Sequence, residues 1–298
     1  MSCPRVVFLD TSIFDSQRYN FTSNAFEAFL KAVVADKFWL LLPDPTEQEI
    51  KRHIEKKWRD AYSVLERLEK EAPFVTEWKY WPPTRTRLFE SNLEDVIRGQ
   101  WKNFLTHFTV VRLGYSGVDL KEIMEWYHRG RGPFGPKKQK EFPDAISLAA
   151  ILDFSRHEKC LIAVVSLDSD FKRACVIYTE LLYFNSLPAF TEAILSGDQR
   201  LSALKTALEA DAEKIVEAIT NEFSGPFEYE EIPSLSVGDV SVDEVDVKEF
   251  RIIALGENEC TISFEAEVAY SSWIEYEEYI EGYEGYSHTT KREGWVED

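Results

Sequence analysis

The 298-residue sequence is short of the groups that build several common catalytic centres. Its four cysteines (Cys3, Cys160, Cys175, Cys260) are scattered and form no CxxC pair. Zinc-finger and dithiol-redox readings therefore lack support. None of its five histidines sits in a metal-like pair, which argues against a zinc hydrolase. It has no GxxxxGK followed by Ser or Thr, so a P-loop reading has no anchor. A GxSxG elbow is missing too. No apolar run approaches the length of a membrane span. No basic segment followed by a long apolar run opens the chain, so no signal peptide is expected. A reducing cytoplasm is the expected compartment, with no membrane partner.

Basic residues are also scarce, but unevenly so. The net charge is −19. Residues 225–298 hold 20 Asp/Glu against 4 Lys/Arg, a net of −16, which leaves −3 for residues 1–224. A uniformly acidic surface would exclude a nucleic-acid ligand, which needs basic groups against its phosphates. The near-neutral first part removes much of that exclusion.

What is present is a series of short apolar runs that stop at acids and hydroxyls. Val6-Val7-Phe8-Leu9 runs into Asp10-Thr11-Ser12. Phe38 to Leu42 is stopped by Pro43 and Pro45, and a long helix opens at Thr46 with Glu49 in its first turn. Leu161 to Val165 runs into Ser166-Leu167-Asp168-Ser169-Asp170. Each run has the length of a buried strand. Leu181 to Phe184 reads as one more. Between them, Phe26, Phe29, Leu30, Val33 and Val34 repeat at helical spacing. Asp144 starts a helix that is apolar on almost every side. Residues 73–130 read as helices, with Leu88–Phe108 and Asp119–Tyr127 the clearest.

Strands alternating with helices predict an α/β fold, a parallel sheet flanked by helices. In such a sheet ligands gather at the carboxyl ends of the strands. Asp10, Glu49, Asp144, Asp168 and Asp170 all fall at that edge. Any one of them alone also has a bland explanation as a cap, because a helix N-terminus favours an acid. Carboxylates crowded together need a proton or a cation. Oxygen donors of this kind suit Mg²⁺ or Mn²⁺. Just before Asp144, His128 to Lys140 forms a Gly/Pro loop carrying Arg129, Arg131, Lys137, Lys138 and Lys140 and no acid. Such a loop can approach a phosphate backbone, or it is only an exposed loop kept soluble by charge.

Leu9-Asp10-Thr11-Ser12, Pro43 to Glu49, Phe142-Pro143-Asp144-Ala145 and Ser166 to Phe171 together resemble the PIN-domain nucleases, over about residues 5–195. The resemblance implies a carboxylate cluster that binds Mg²⁺ or Mn²⁺ and hydrolyses RNA, less often DNA. It implies Asp10 as the central metal ligand, with Glu49 and Asp144 completing that site. Asp168 and Asp170 would hold or orient a second metal and the attacking water. Thr11 and Ser166 would hydrogen-bond the acids or the phosphate. The long middle resembles larger bacterial members, with a toxin–antitoxin or defence role implied by resemblance only.

Two other classes compete with this reading. One is a non-catalytic nucleic-acid- or protein-binding module on the same scaffold. The other is a phosphatase or phosphoacceptor domain using Asp10, weakened because Ser12 stands where a second Asp is needed. The expected domains are 1–198 (PIN-like), 199–224 (a connecting helix) and 225–298 (an acidic β-rich domain). Thr261 to Tyr270 alternates apolar and polar residues, and Gly256 to Glu259 suits a hairpin turn. That acidic region either docks a basic protein partner or is acidic only for solubility.

Overall fold

The structure is a computed structural model that describes residues 3–34, 37–83, 85, 93–134, 141–223, 235–256, 259–278 and 288–293. By proximity the chain divides into two compact units. The first is Met1–Gly197 with Ile253–Thr261, and the second is Asp198–Ile252 with Ile262–Asp298.

The first unit is built on a five-stranded parallel sheet. Its strands are β1 (Val6–Leu9), β2 (Trp39–Pro43), β3 (Thr109–Leu113), β4 (Ile162–Val165) and β5 (Leu181–Phe184), in the order β3-β2-β1-β4-β5. β1 lies at the centre, with Phe8 opposite Leu41 on one side and Val164 on the other. All strands run the same way, so their carboxyl ends share one edge.

Alternate strand residues feed two apolar layers, as a sheet covered on both faces requires. Val7, Leu9, Leu40, Leu42, Ala163 and Val165 face one layer. It is filled from α1 (Thr11–Ser16), α2 (Asn24–Val34), α3 (Asp44–Glu71) and α5 (Leu93–Leu105), the short α4 (Phe74–Glu77) preceding the last. Phe8, Leu41, Ile162 and Val164 face the other. That layer holds α6 (Leu120–Arg129), α7 (Phe142–Glu158) and α8 (Ser169–Ile177). α9 (Leu187–Leu195) follows β5 and sends Phe190 into the first layer.

The expected run of helices over 73–130 contains a strand. β3 pairs with β2 from Trp39↔Thr109 to Pro43↔Leu113. Thr109-Val110-Val111 is β-branched and bounded by Gly114, which is strand chemistry. Its five residues are only half-buried at the sheet edge, so no continuous apolar run marks them.

α3 is tied to α7 by a buried hydrogen bond between the Thr46 and Ser147 hydroxyls, 3.0 Å apart. This bond joins the helix that carries Glu49 to the one that carries Asp144. Removing one partner strands the other, whereas removing both is close to neutral. Thr46→Val is therefore expected to lower stability by about 1–3 kcal/mol in urea unfolding, and Thr46→Val with Ser147→Ala to recover most of it. A double variant no better than the single one would contradict that role.

In the second unit the expected connecting helix is two helices, α10 (Arg200–Ala210) and α11 (Ala212–Phe223). The chain turns at Asp211, whose N–H donates to the carbonyls of Ala207 and Leu208 and whose carbonyl accepts from Lys214. A second sheet has the order β6 (Leu235–Leu255), β7 (Cys260–Glu278), β8 (His288–Glu293), with β7 and β8 antiparallel. The β6–β7 turn is closed by Gly256 N–H donating to Glu259 O at 2.8 Å. A Cβ on Gly256 would stand 2.9 Å from Glu259 Cγ, so the turn needs the missing side chain. The alternation of β7 is real, but its apolar face is not deeply covered, and Phe264 is exposed. Among the described residues no helix is long and apolar enough to cross a membrane.

Candidate active site

β1 ends by tying itself to its neighbour. The Asp10 N–H donates to Val165 O at 3.0 Å, and the chain then turns into α1. Asp10 occupies the N-cap position of α1, yet its carboxylate closes no capping hydrogen bond. Instead its Oδ2 accepts from the hydroxyls of Ser12, at 2.5 Å, and Ser166, at 2.7 Å. Burial pushes the Asp10 carboxyl above its ordinary range, and the two hydroxyls only partly offset that. The backbone N–H groups of Thr11 and Ser12 also favour the ionised carboxylate.

The neighbouring acids close around it. Thr11 Oγ1 donates to Glu49 Oε2 at 3.0 Å, joining α1 to the second turn of α3. The other oxygen, Oε1, faces Arg52 at 3.5 Å and His53 Nε2 at 3.8 Å. Asp144 lies in the first turn of α7. Its carboxyl is pushed up to about 8, first by burial and then by a hydrogen bond with Glu141 and the negative charges of Asp10, Glu141 and Glu49. Asp10, Glu49 and Asp144 thus come from three separate helix starts into one electrostatic cluster, with Glu141 added.

Ser166 links this cluster to the end of β4. Its hydroxyl donates to Asp10 and accepts the Asp168 N–H at 2.9 Å. The Asp168 carboxylate caps α8 by accepting the Asp170 N–H at 2.8 Å. Burial raises the Tyr183 hydroxyl, helped by the charges of Cys175, Asp168 and Asp10, and that hydroxyl donates to Ser166 O. Asp170 is buried and accepts from Arg173 Nη2 at 2.5 Å. Its Oδ1 is engaged within α8.

Of the basic loop, the residues up to Phe134 are described. Arg129 reaches Glu125 on its own helix at 3.9 Å. The charge of Arg131 is felt by Tyr178, at the far end of α8 from Asp168. Among the described residues neither arginine bonds or pairs with the acids. Gly132 packs on α8, where a Cβ would lie 3.2 Å from Asp170 O. Lys137, Lys138 and Lys140 lie outside the described residues.

Other neighbours of the site had no assigned role in the sequence. Ser12 holds Asp10. His53 Nδ1 bonds Asp15 at 3.0 Å, and its ring stands edge-on to Tyr19 at 6.2 Å. The Tyr19 hydroxyl is pushed upward by burial and then by Asp15 and Glu49. Tyr19 reaches this position through two consecutive left-handed residues, Arg18 at φ 51° and Tyr19 at φ 58°.

A family model described as PIN domain matches residues 7–171, more than half of the chain. The chain belongs to the PIN-domain family. The match begins in β1 and ends at Phe171, so it spans every acid described above and none of the second unit. PIN domains are typically nucleases that use divalent metal ions. No curated protein and no solved structure matches the chain.

The donor set of this PIN domain fits such an ion in its chemistry, since every candidate is a hard carboxylate oxygen. Among the described residues no group of three or more His, Cys, Asp or Glu side chains is placed to hold a metal ion. Mg²⁺ does not require one. It usually takes one or two carboxylates and completes its octahedron with water and substrate phosphate.

Proposed function

We propose that this PIN domain is a metal-dependent endoribonuclease. The observation that carries the reading is the burial of Asp144 at the sheet edge, within reach of the charges of Asp10 and Glu49. One or two of these carboxylates, Asp10 foremost, would hold a Mg²⁺ or Mn²⁺ ion with water and substrate phosphate completing its shell, and Asp168 would contribute beside them through the Ser166 turn. When bound, such an ion activates water and stabilises the attacking and leaving oxygens of a phosphodiester. Ser12 and Ser166 fix the Asp10 carboxylate through Oδ2. Thr11 fixes Glu49 in the same manner. Without the ion, the Asp144 carboxyl holds its proton into the neutral range. Asp170, engaged by Arg173, supports the α8 turn.

The test is cleavage of a labelled single-stranded RNA with Mg²⁺, with Mn²⁺ and with EDTA. Cleavage is expected with either ion, lost in EDTA and restored by excess Mn²⁺. Cleavage indifferent to EDTA would overturn the metal assignment. The absence of a three-ligand group among the described residues favours, as second reading, a non-catalytic module, and calorimetry showing no heat of Mn²⁺ binding would establish it instead.

A further inference from the structure

α3 outruns the fold it starts in. Its buried residues end at Ile54, and residues 55–71 continue for about 25 Å at 1.5 Å per residue. Positions 52, 56, 59, 63, 67 and 70 follow steps of three or four residues, so they share one stripe of the helix. They are Arg52, Lys56, Arg59, Ser63, Arg67 and Lys70, five cations and a hydroxyl with no acid among them. The stripe starts one turn after Glu49, the acid that Arg52 touches.

These charges are open to a ligand. Arg52 and Arg59 pair weakly, at 3.5 and 4.0 Å, and both side chains stay 73% exposed. Such pairs contribute little in water. Lys56, Arg67 and Lys70 are exposed and make no hydrogen bond or ion pair among the described residues. The stripe is flanked on α3 by Glu55, Asp60, Glu66 and Glu69, of which Glu55 pairs with Arg59, but none of them lies within it. In a chain of net charge −19, a row of one sign running into an acidic site is distinct from a solvated face of mixed sign. Its members rise about 4.5–6 Å apiece along the axis, a spacing suited to successive phosphates of an extended strand. Just beyond α3, the rings of Phe74, Trp78 and Tyr80 are all exposed by more than half. Trp78 stands edge-on to Tyr80, whose ring also carries the Lys79 ammonium, and Phe74 has no ring partner among the described residues. Exposed rings bind unstacked bases, which a single strand offers and a duplex does not.

We propose that this stripe is a phosphate track that leads single-stranded RNA toward Glu49, with the rings beyond it stacking bases at the outer end. The proposal rests on the nuclease reading only for what happens where the track ends. The experiment measures fluorescence anisotropy of a labelled single-stranded oligouridine in EDTA, across a salt series, with the full chain. Removing one phosphate-binding cation makes the log–log salt slope shallower by about 0.7. Lys56→Ala/Arg67→Ala/Lys70→Ala should therefore flatten it by about 2. Over a fourfold rise in salt, the wild type would then lose about twentyfold more affinity than the variant. Alanine suits an exposed helix, so folding is retained. Lys31→Ala/Lys102→Ala/Lys121→Ala, equal in charge, should leave the slope alone. Trp78→Ala should weaken binding about fivefold or more at unchanged slope.

An unchanged slope in the stripe variant overturns the track even if the wild type cleaves RNA, and the nuclease reading then stands. A flattened slope without any cleavage by the wild type with Mn²⁺ supports the track and overturns the nuclease reading. A wild type that binds no RNA at any salt overturns the track.

Discussion

Asp10→Asn is expected to lower metal-dependent RNA cleavage by about a thousandfold or more, and to leave the fold at least as stable as before. The loss follows from charge. A metal-held phosphodiester draws several kcal/mol of transition-state stabilisation from its ion, and about 4 kcal/mol corresponds to roughly a thousandfold. Asn keeps the shape and an oxygen that still accepts from Ser12 and Ser166, but it carries no negative charge. The stability follows from burial. Asp10 is 8% exposed, and its carboxyl is raised above the ordinary range because burial penalises the ionised form. A raised carboxyl contributes stability at low pH that is lost as pH rises. In metal-free buffer near pH 8 the Asn variant escapes that loss and should melt no lower than the wild type. Mn²⁺ at a hundred times its dissociation constant should stabilise the wild type by about 2.7 kcal/mol and the variant hardly at all. A variant that melts well below the wild type, or that still responds to Mn²⁺, would remove Asp10 from the centre of the site.

Wherever an apolar run stops abruptly at an acid, the strand and the placement of that acid could be read from the residues alone. Val6 to Asp10 and Leu161 to Asp170 are of this kind, and both form central strands with buried residues on both faces. β3 escaped the same reading because an edge strand alternates only weakly and is half exposed. The break at Asp211 escaped because an amphipathic stripe can continue across a turn between two helices.

The candidate site divides in the same way. Asp10, Glu49 and Asp144 were legible because each sits at a junction between element types. Ser12 stood in plain view, but a hydroxyl two residues after an acid reads equally well as part of a turn. Tyr19 was not legible, because its approach depends on two left-handed residues that are not glycine. Nor was the engagement of Asp170, since Arg173 one turn later also reads as a solvated cation. The loop arginines show the converse limit. Adjacency in sequence to Asp144 suggested a shared site, but adjacency alone does not place a side chain: after α6 the chain passes Gly130 in a left-handed turn, and the charge of Arg131 bears on Tyr178.

Asp144 is expected to govern how the metal-free protein responds to pH. Its carboxyl is pushed up to about 8, so between about pH 4 and pH 8 the folded state holds a proton that the unfolded state has released. Stability falls with rising pH wherever the folded state binds more protons. The contribution of Asp144 is thus full below pH 4 and is lost as pH rises toward 8. One extra proton corresponds to at most about 1.4 kcal/mol per pH unit. Urea unfolding in EDTA at unit steps from pH 5 to pH 8 should show this decline in the wild type. Asp144→Asn should flatten it, with the residual slope belonging to Asp10. Saturating Mn²⁺ should reverse the sign, because an ion that takes the place of the proton binds better as the carboxyl ionises. If the wild type and Asp144→Asn decline in parallel, Asp144 is not raised, and neither its burial nor the charges of Asp10, Glu49 and Glu141 act on it in this way. The cluster would then lose the observation on which the nuclease reading depends.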